Sequence, residues 1–289
     1  MSGLNLRLTI IALLLILVLP PIGFWYYRAH RPRPTPIAPR AEINVTIIPG
    51  WNLRQVASDW VKKGIIKTPE ELYGLLGKPA VNYRAEGQFA PDLNLVTASG
   101  TVLYPLLSEK SRGVSYEGFL YPDTYRVYAD AKPLDVLRKI FDNLENKITP
   151  ELRAEMARQK KSFLEVLTMA SVVQKEAPSN EDMAMVADIF WRRYEKNWAL
   201  QSCATVNYIT GKNDPGVTDK DRALDSLYNT YKYPGLPLGP ISNPSVSAIR
   251  AALYPKANNF WYFMAGTDGV THYARTLEEH NRNVGKYLR

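Results

Sequence analysis

Residues 163–176, FLEVLTMASVVQKE, leave the chain little conformational choice. Leu164, Leu167, Ala170, Val172 and Val173 recur at helical spacing, so one side of the segment belongs to a core. Ser162 and Glu165 stand in capping-box positions at its start. Pro178 disfavours helical backbone at Ala177, which predicts a helix end near Glu176. An acid is thereby placed at the negative end of a helix dipole, beside apolar side chains. Both effects oppose ionisation and raise its pKa. A carboxylic acid still protonated near neutral pH is what general-acid cleavage of a glycosidic bond requires. On these features alone, a solvated surface Glu beside Lys175 is the commoner outcome.

With 289 residues the chain can bury a core and carry about two folded modules behind an N-terminal segment. Its formal charge of +8 would suit a nucleic-acid partner, but the distribution opposes that. Arg7, Arg28, Arg31, Arg33 and Arg40 account for five of the eight charges, and no acid accompanies them before residue 42. No basic stripe with interleaved aromatics follows. The single cysteine, Cys203, excludes an intramolecular disulfide framework and any CxxC metal site. His30, His272 and His280 form no HExxH pair, so neither a metal nor a cofactor is expected.

Leu8 to Tyr27 is an uncharged run of 20 residues, and as a helix it would be ~30 Å long, the thickness of a bilayer core. Trp25, Tyr26 and Tyr27 stand at its end, where an interfacial aromatic belt belongs. A cleaved signal peptide is the rival, but no small-x-small site follows the run. The expectation is a transmembrane anchor over 8–27, with residues 1–7 cytoplasmic and a Pro-rich, extended linker over 28–41. Flanking arginines alone would keep the large part of the chain in the cytoplasm.

Ile43, Val45 and Ile47 alternate as a strand that Pro49-Gly50 ends. Leu53, Val56, Ala57, Trp60 and Val61 give a helical stripe, and Thr68-Pro69-Glu70-Glu71 opens a second helix. Residues 80–116 read as irregular, and 116–128 as aromatic and turn-rich. Helices follow at about 134–147, 150–160, 162–176 and 180–197. A polar loop is expected from Leu200 to Tyr228, then a helix over about 245–254. Phe260–Ala265 and His272–Ala274 read as strands around a Gly269 turn, before a last helix to Tyr287.

Five segments exceed what periodicity can say: EGFLYPDTY (117–125), ASVVQKE (170–176), LQSCATVNY (200–208), SLYNTYKYPGLPLGPISNP (226–244) and WYFMAGTDGVTHYARTLEEHNRNVGKYL (261–288). In order and spacing they resemble the endolytic murein transglycosylase family of the MltG/YceG type, over roughly residues 43–289. The resemblance implies an α+β protein: an N-terminal transmembrane helix, a small LysM-like module with its connection over 42–115, and a mainly helical catalytic domain with a short sheet over 116–289. It implies a membrane-anchored lyase, single-pass with its catalytic domain outside the cytoplasm, which overrides the local charge count. The implied activity is cleavage of the MurNAc–GlcNAc β-1,4 bond within peptidoglycan strands to leave 1,6-anhydro ends. Strand-extruding cell-wall synthases are its implied neighbours. Glu176 falls on the family's catalytic acid, and Gln201, Ser202, Tyr228, Asn229 and Thr230 on its substrate groove. The family often has Asp-Pro where this chain has Cys203-Ala204, and the 80–116 region is shorter. Nothing suggests the pyridoxal phosphate lysine that the label aminodeoxychorismate lyase would need.

Lytic transglycosylases resemble glycosidases without the water. The C6 hydroxyl of N-acetylmuramic acid attacks C1, so one Glu can suffice. A hydrolase would need a second carboxylate, for which Glu117, Asp123, Glu181 and Asp188 are available. Two other classes stay open at this point: a non-catalytic peptidoglycan-binding protein, and a transpeptidase using Cys203 with His272 or His280.

Overall fold

The computed structural model describes residues 23–31, 40–93, 95–96, 99–212 and 216–288. They belong to two units, Met1–Arg40 and Ala41–Arg289. In the first, residues 23–30 are helical (α1), with Phe24, Trp25, Tyr26 and Tyr27 exposed. The expected membrane-spanning helix is corrected here. Among the described residues no helix is long and apolar enough to cross a membrane. The described helix would be only ~12 Å long, against the ~30 Å a bilayer core demands. The membrane attachment and single-pass localisation drawn from that helix lose their support with it. Residues 1–22, which hold the expected cytoplasmic segment and most of the expected span, lie outside the described residues. So do 32–39 of the expected linker.

The second unit opens with β1 (Glu42–Thr46). Its partner is β2 (Thr124–Tyr128), antiparallel, with Glu42 opposite Tyr128 and Thr46 opposite Thr124. Tyr125 and Val127 of β2 are buried and their neighbours exposed, a period of two concealed by the aromatic character of 116–128. The strand read from 43–47 is thus completed by residues beyond position 115. Between the strands run α2 (Leu53–Lys62) and α3 (Pro69–Leu76). Asn52 caps α2: its Oδ1 accepts from the Arg54 and Gln55 N–H groups at 3.0 and 3.2 Å, and Gln55 Oε1 accepts from the Asn52 N–H at 2.9 Å. Leu53, Val56, Ala57 and Trp60 then turn inward as one stripe. Among the described residues of 80–116, regular structure is confined to the short α4 (Pro105–Ser108) and a bridge between Val96 and Val102. Tyr83, Leu106, Leu107, Val114 and Tyr116 bury this region nonetheless.

Four helices follow: α5 (Pro133–Lys147), α6 (Pro150–Arg158), α7 (Phe163–Glu176) and α8 (Asn180–Glu195). In α7 every residue from Val166 to Val173 is buried. The helix begins where Ser162 Oγ accepts from the Glu165 N–H at 3.2 Å while the Ser162 N–H donates to Glu165 at 2.8 Å. It ends at Ala177, whose backbone is extended ahead of Pro178. The segment expected to be a polar loop contains α9 (Cys203–Thr210), stopped by Gly211 in the left-handed conformation. Thr205, Val206 and Tyr208 give it a buried face too short to stand out in the sequence. After α10 (Asp219–Arg222), α11 (Val246–Leu253) packs with α8 on α7. The hairpin of β3 (Tyr262–Ala265) and β4 (Thr271–Ala274) pairs Tyr262 with Ala274 and Ala265 with Thr271, and α12 (Leu277–Tyr287) covers it. The second unit is a mainly helical fold with two short antiparallel sheets.

Candidate active site

The rigid, buried shaft of α7 delivers Glu176, half-buried, at its C-terminal end. The N-terminus of α9 meets it there. Ser202, the N-cap residue of α9, donates its hydroxyl to Glu176 Oε1, and the Ala204 N–H reaches the same oxygen at 3.4 Å. A carboxylate at this place faces the positive end of a helix dipole. Burial nevertheless dominates and pushes the Glu176 carboxyl above its ordinary pKa, while Ser202, Ala204, Lys175 and Arg193 pull it back. Both hydrogen bonds go to Oε1, and among the described residues none reaches Oε2. One oxygen is held and the other is uncommitted, an arrangement that can exchange a proton with a bound molecule.

The residues expected to line the groove separate into two groups. Gln201 is exposed, and Ser202 is buried against Glu176. Gln201 has φ +56°, a left-handed backbone on a non-glycine residue. Its N–H donates to the Thr230 carbonyl at 2.9 Å, and the Ser202 N–H donates to Thr230 Oγ1 at 3.2 Å. Thr230 Oγ1 also lies 2.9 Å from Thr205 Oγ1. Tyr228, Asn229 and Thr230 are all buried. Asn229 Nδ2 donates to the Arg222 and Leu224 carbonyls at 2.9 and 2.8 Å, and Tyr228 packs on Tyr208 with ring centroids 5.2 Å apart. The structure therefore brings Ser202 to Glu176 directly and sets Thr230 beneath the turn that carries it, while Asn229 and Tyr228 are bonded and packed elsewhere.

The other acids are spoken for. Glu117 is 1% exposed, and both its oxygens accept from the Leu53 N–H at 3.0 Å, at the start of α2. Burial raises the Glu117 carboxyl to about 7, although the Leu53 N–H and the nearby Tyr208 and Arg54 pull its pKa down. Asp123 accepts from Thr124 and Asn143, Glu181 pairs with Lys256, and Asp188 pairs with Arg192 at 2.9 Å. None of these contacts joins Glu176. The Cys203 thiol lies 3.1 Å from the Tyr231 hydroxyl, and burial pushes it up, away from thiolate. His272 bonds Asp268 at 2.9 Å and stacks on Tyr287, and His280 stacks on Tyr262. Neither histidine is hydrogen-bonded to Cys203. No group of His, Cys, Asp and Glu suited to a metal occurs among the described residues.

Two members of the site escape a linear reading. The Ala204 N–H carries no residue-type signal. Arg193 does carry one: it follows Ile189 by four and Phe190 by three, so a charge stands on the apolar face of α8.

The YceG-like family matches residues 34–286. The chain belongs to this family. Within it, 172 residues are 37% identical to an endolytic murein transglycosylase of Bacillus subtilis strain 168, covering 60% of this chain and 48% of that protein. An endolytic murein transglycosylase of Streptococcus pneumoniae strain D39 is 30% identical over 197 residues, covering 64% and 36%. The chain thus spans about half or less of the length of these relatives. A crystal structure of a yceG-like protein from Listeria monocytogenes superposes with a TM-score of 0.67 at 33% identity, covering 85% of this chain and 76% of that one. The fold of this YceG-like chain is shared over most of its length.

Proposed function

We propose that this YceG-like protein is a lytic transglycosylase that cuts within peptidoglycan strands, with Glu176 as its single acid and base. The observation that carries the reading is the half-held carboxyl: burial raises its pKa, α9 secures Oε1, and Oε2 is left for substrate. Protonated Glu176 gives its proton to the oxygen linking N-acetylmuramic acid to N-acetylglucosamine. The C1–O bond breaks, and O6 of the same muramic acid bonds to C1. The O6 proton passes to Glu176, which is restored, and a 1,6-anhydro end remains. Ser202 and the Ala204 N–H stabilise the carboxylate between the two transfers. Intramolecular attack supplies the nucleophile, so the lack of a second carboxylate bonded into the site among the described residues suits this chemistry.

Gln201, exposed beside the acid, is proposed to contact sugar, with Tyr228, Asn229 and Thr230 backing it. The module over 42–115 is proposed to grip the strand. Its β1–α2 loop comes so close to the site that a β-carbon on Gly50 would lie 3.6 Å from the Lys175 side chain.

Incubation of purified murein with the protein, followed by mass analysis, tests the reading. The expected products carry 1,6-anhydro-muramyl ends, one water lighter than hydrolysis products, and Glu176→Gln abolishes them. Reducing ends would instead mark a hydrolase and require a second carboxylate. Binding without any cleavage would leave a peptidoglycan-binding protein.

A further inference from the structure

Arg193 is 5% exposed, and among the described residues it takes part in no ion pair. A buried cation without an anion is costly unless its donors are satisfied and its charge meets compensation. Its donors are satisfied by carbonyls. Nη1 donates to the Leu200 carbonyl at 2.6 Å, while Nε, at 3.1 Å, and Nη2 donate to the Trp261 carbonyl. The Trp198 and Tyr262 rings lie 5.2 and 5.5 Å from the guanidinium. One planar fork thus ties α8, the Leu200 turn and the start of β3 together.

That turn leads straight to the acid. Leu200 precedes Gln201, whose left-handed backbone is strained and persists only where its surroundings over-determine it. Here Arg193 holds the carbonyl before it, and Thr230 holds the N–H groups of Gln201 and Ser202. The outcome of this pinning is the Ser202 hydroxyl turned onto Glu176.

We propose that Arg193 is a positioning residue for Glu176: it fixes the Leu200–Ser202 turn against the acid and supplies the fixed positive charge that the carboxylate meets once its proton has gone. This rests on the reading of Glu176 as the acid. The charge of Arg193 lowers the pKa of Glu176, and Glu176 in turn raises that of Arg193, although burial sets the net direction in both. The other titratable or charged groups that act on Glu176 or feel its charge are Lys175, Cys203 and Tyr231. Those around Arg193 are Arg192, Tyr231, Tyr262 and His280. His280 is itself held toward the neutral form by burial and by Arg193. Lysine would keep the charge but cannot present a planar fork to two carbonyls.

The test uses the full chain, soluble glycan strands, and Arg193→Lys, Arg193→Gln and Glu176→Gln variants, with rates measured against pH and folding followed by melting temperature. Arg193→Lys should lower kcat roughly tenfold, through misplacement of Ser202, with KM within about twofold and the basic limb of the pH profile moved to higher pH as the Ser202 hydrogen bond to Glu176 is lost. Arg193→Gln should lower kcat further and move that limb further to higher pH, because a carboxylate with less positive charge around it holds its proton more tightly. Folded variants with the parent kcat and pH profile overturn the proposal. If Arg193→Gln does not fold, Arg193→Lys decides alone: a folded lysine variant with the parent kcat overturns it. An active Glu176→Gln protein sinks the underlying reading and Arg193 with it. An inactive one, beside unmoved Arg193 profiles, overturns Arg193 only.

Discussion

Glu176 and Glu117 are the same residue type at the same kind of place, a carboxyl received by the N-terminus of a helix from elsewhere in the fold. Burial raises the pKa of both. They differ in how completely the protein uses their oxygens. At Glu117 both oxygens accept from the Leu53 N–H, and the group is sealed. At Glu176 only Oε1 is engaged among the described residues, and the residue is half-buried. A displaced pKa therefore does not separate a reactive acid from a structural one. Glu117 fastens the start of α2 to the loop before β2, whereas Glu176 ends α7 with an oxygen to spare.

The comparison breaks most plainly under substitution. Glu176→Gln should reduce the release of anhydro-muropeptides by about 10² to 10⁴-fold and leave the melting temperature almost unchanged. Glu117→Ala should do the reverse. It strands the buried Leu53 N–H, which costs roughly 1–3 kcal/mol in a denaturation experiment. Comparable activity losses per folded molecule in both variants would erase the distinction. The pH dependence of stability sharpens it. Glu117 binds its proton more tightly in the folded state, up to about 7, than in the unfolded chain. Its contribution is fully present below the ordinary carboxylate range and is lost as pH rises through about 7, with a slope of at most about 1.4 kcal/mol per pH unit. Glu117→Gln should flatten the fall in urea midpoints measured from pH 4 to 8, leaving the same-sign slope from Glu176 and the opposite one from His280, whose imidazole is held toward the neutral form. Ser202→Ala should cost roughly tenfold in rate, the worth of one hydrogen bond to a charged group. Because that bond lowers the Glu176 pKa, its loss should also carry the basic limb of the rate profile to higher pH. The smallest effect belongs to Cys203→Ser. Its thiol is bonded to Tyr231 and held protonated, so activity should be unchanged, as should resistance to thiol alkylation at the level of catalysis.

Local signals sufficed where the deciding groups are neighbours in the chain. Ser162, Glu165 and Pro178 bound α7 by themselves, because a cap acts over three residues and a proline over one. The position of Glu176 at a helix end among apolar side chains was legible for the same reason, and so was the β3–β4 hairpin around Gly269. The 20-residue apolar run at Leu8–Tyr27 was read from length and hydropathy alone, and the described helix over 23–30 does not sustain that reading.

Tertiary structure decided what depends on partners distant in sequence. β2 becomes a strand because β1, some eighty residues earlier, offers its edge, and α9 becomes a helix because Thr205, Val206 and Tyr208 find a core to enter. Glu117, legible in the sequence as an available second carboxylate, is instead buried under the first N–H of α2. The meeting of Glu176 with Ser202 and Ala204, and of Arg193 with Leu200 and Trp261, joins segments whose local sequences carry no mark of one another. Propensity and capping act along a few bonds of chain, whereas burial and the hydrogen bonds it enforces act through space. The sequence by itself could nominate the acid. Only the packing of α9 against the end of α7 could decide which of its oxygens is held and which is free.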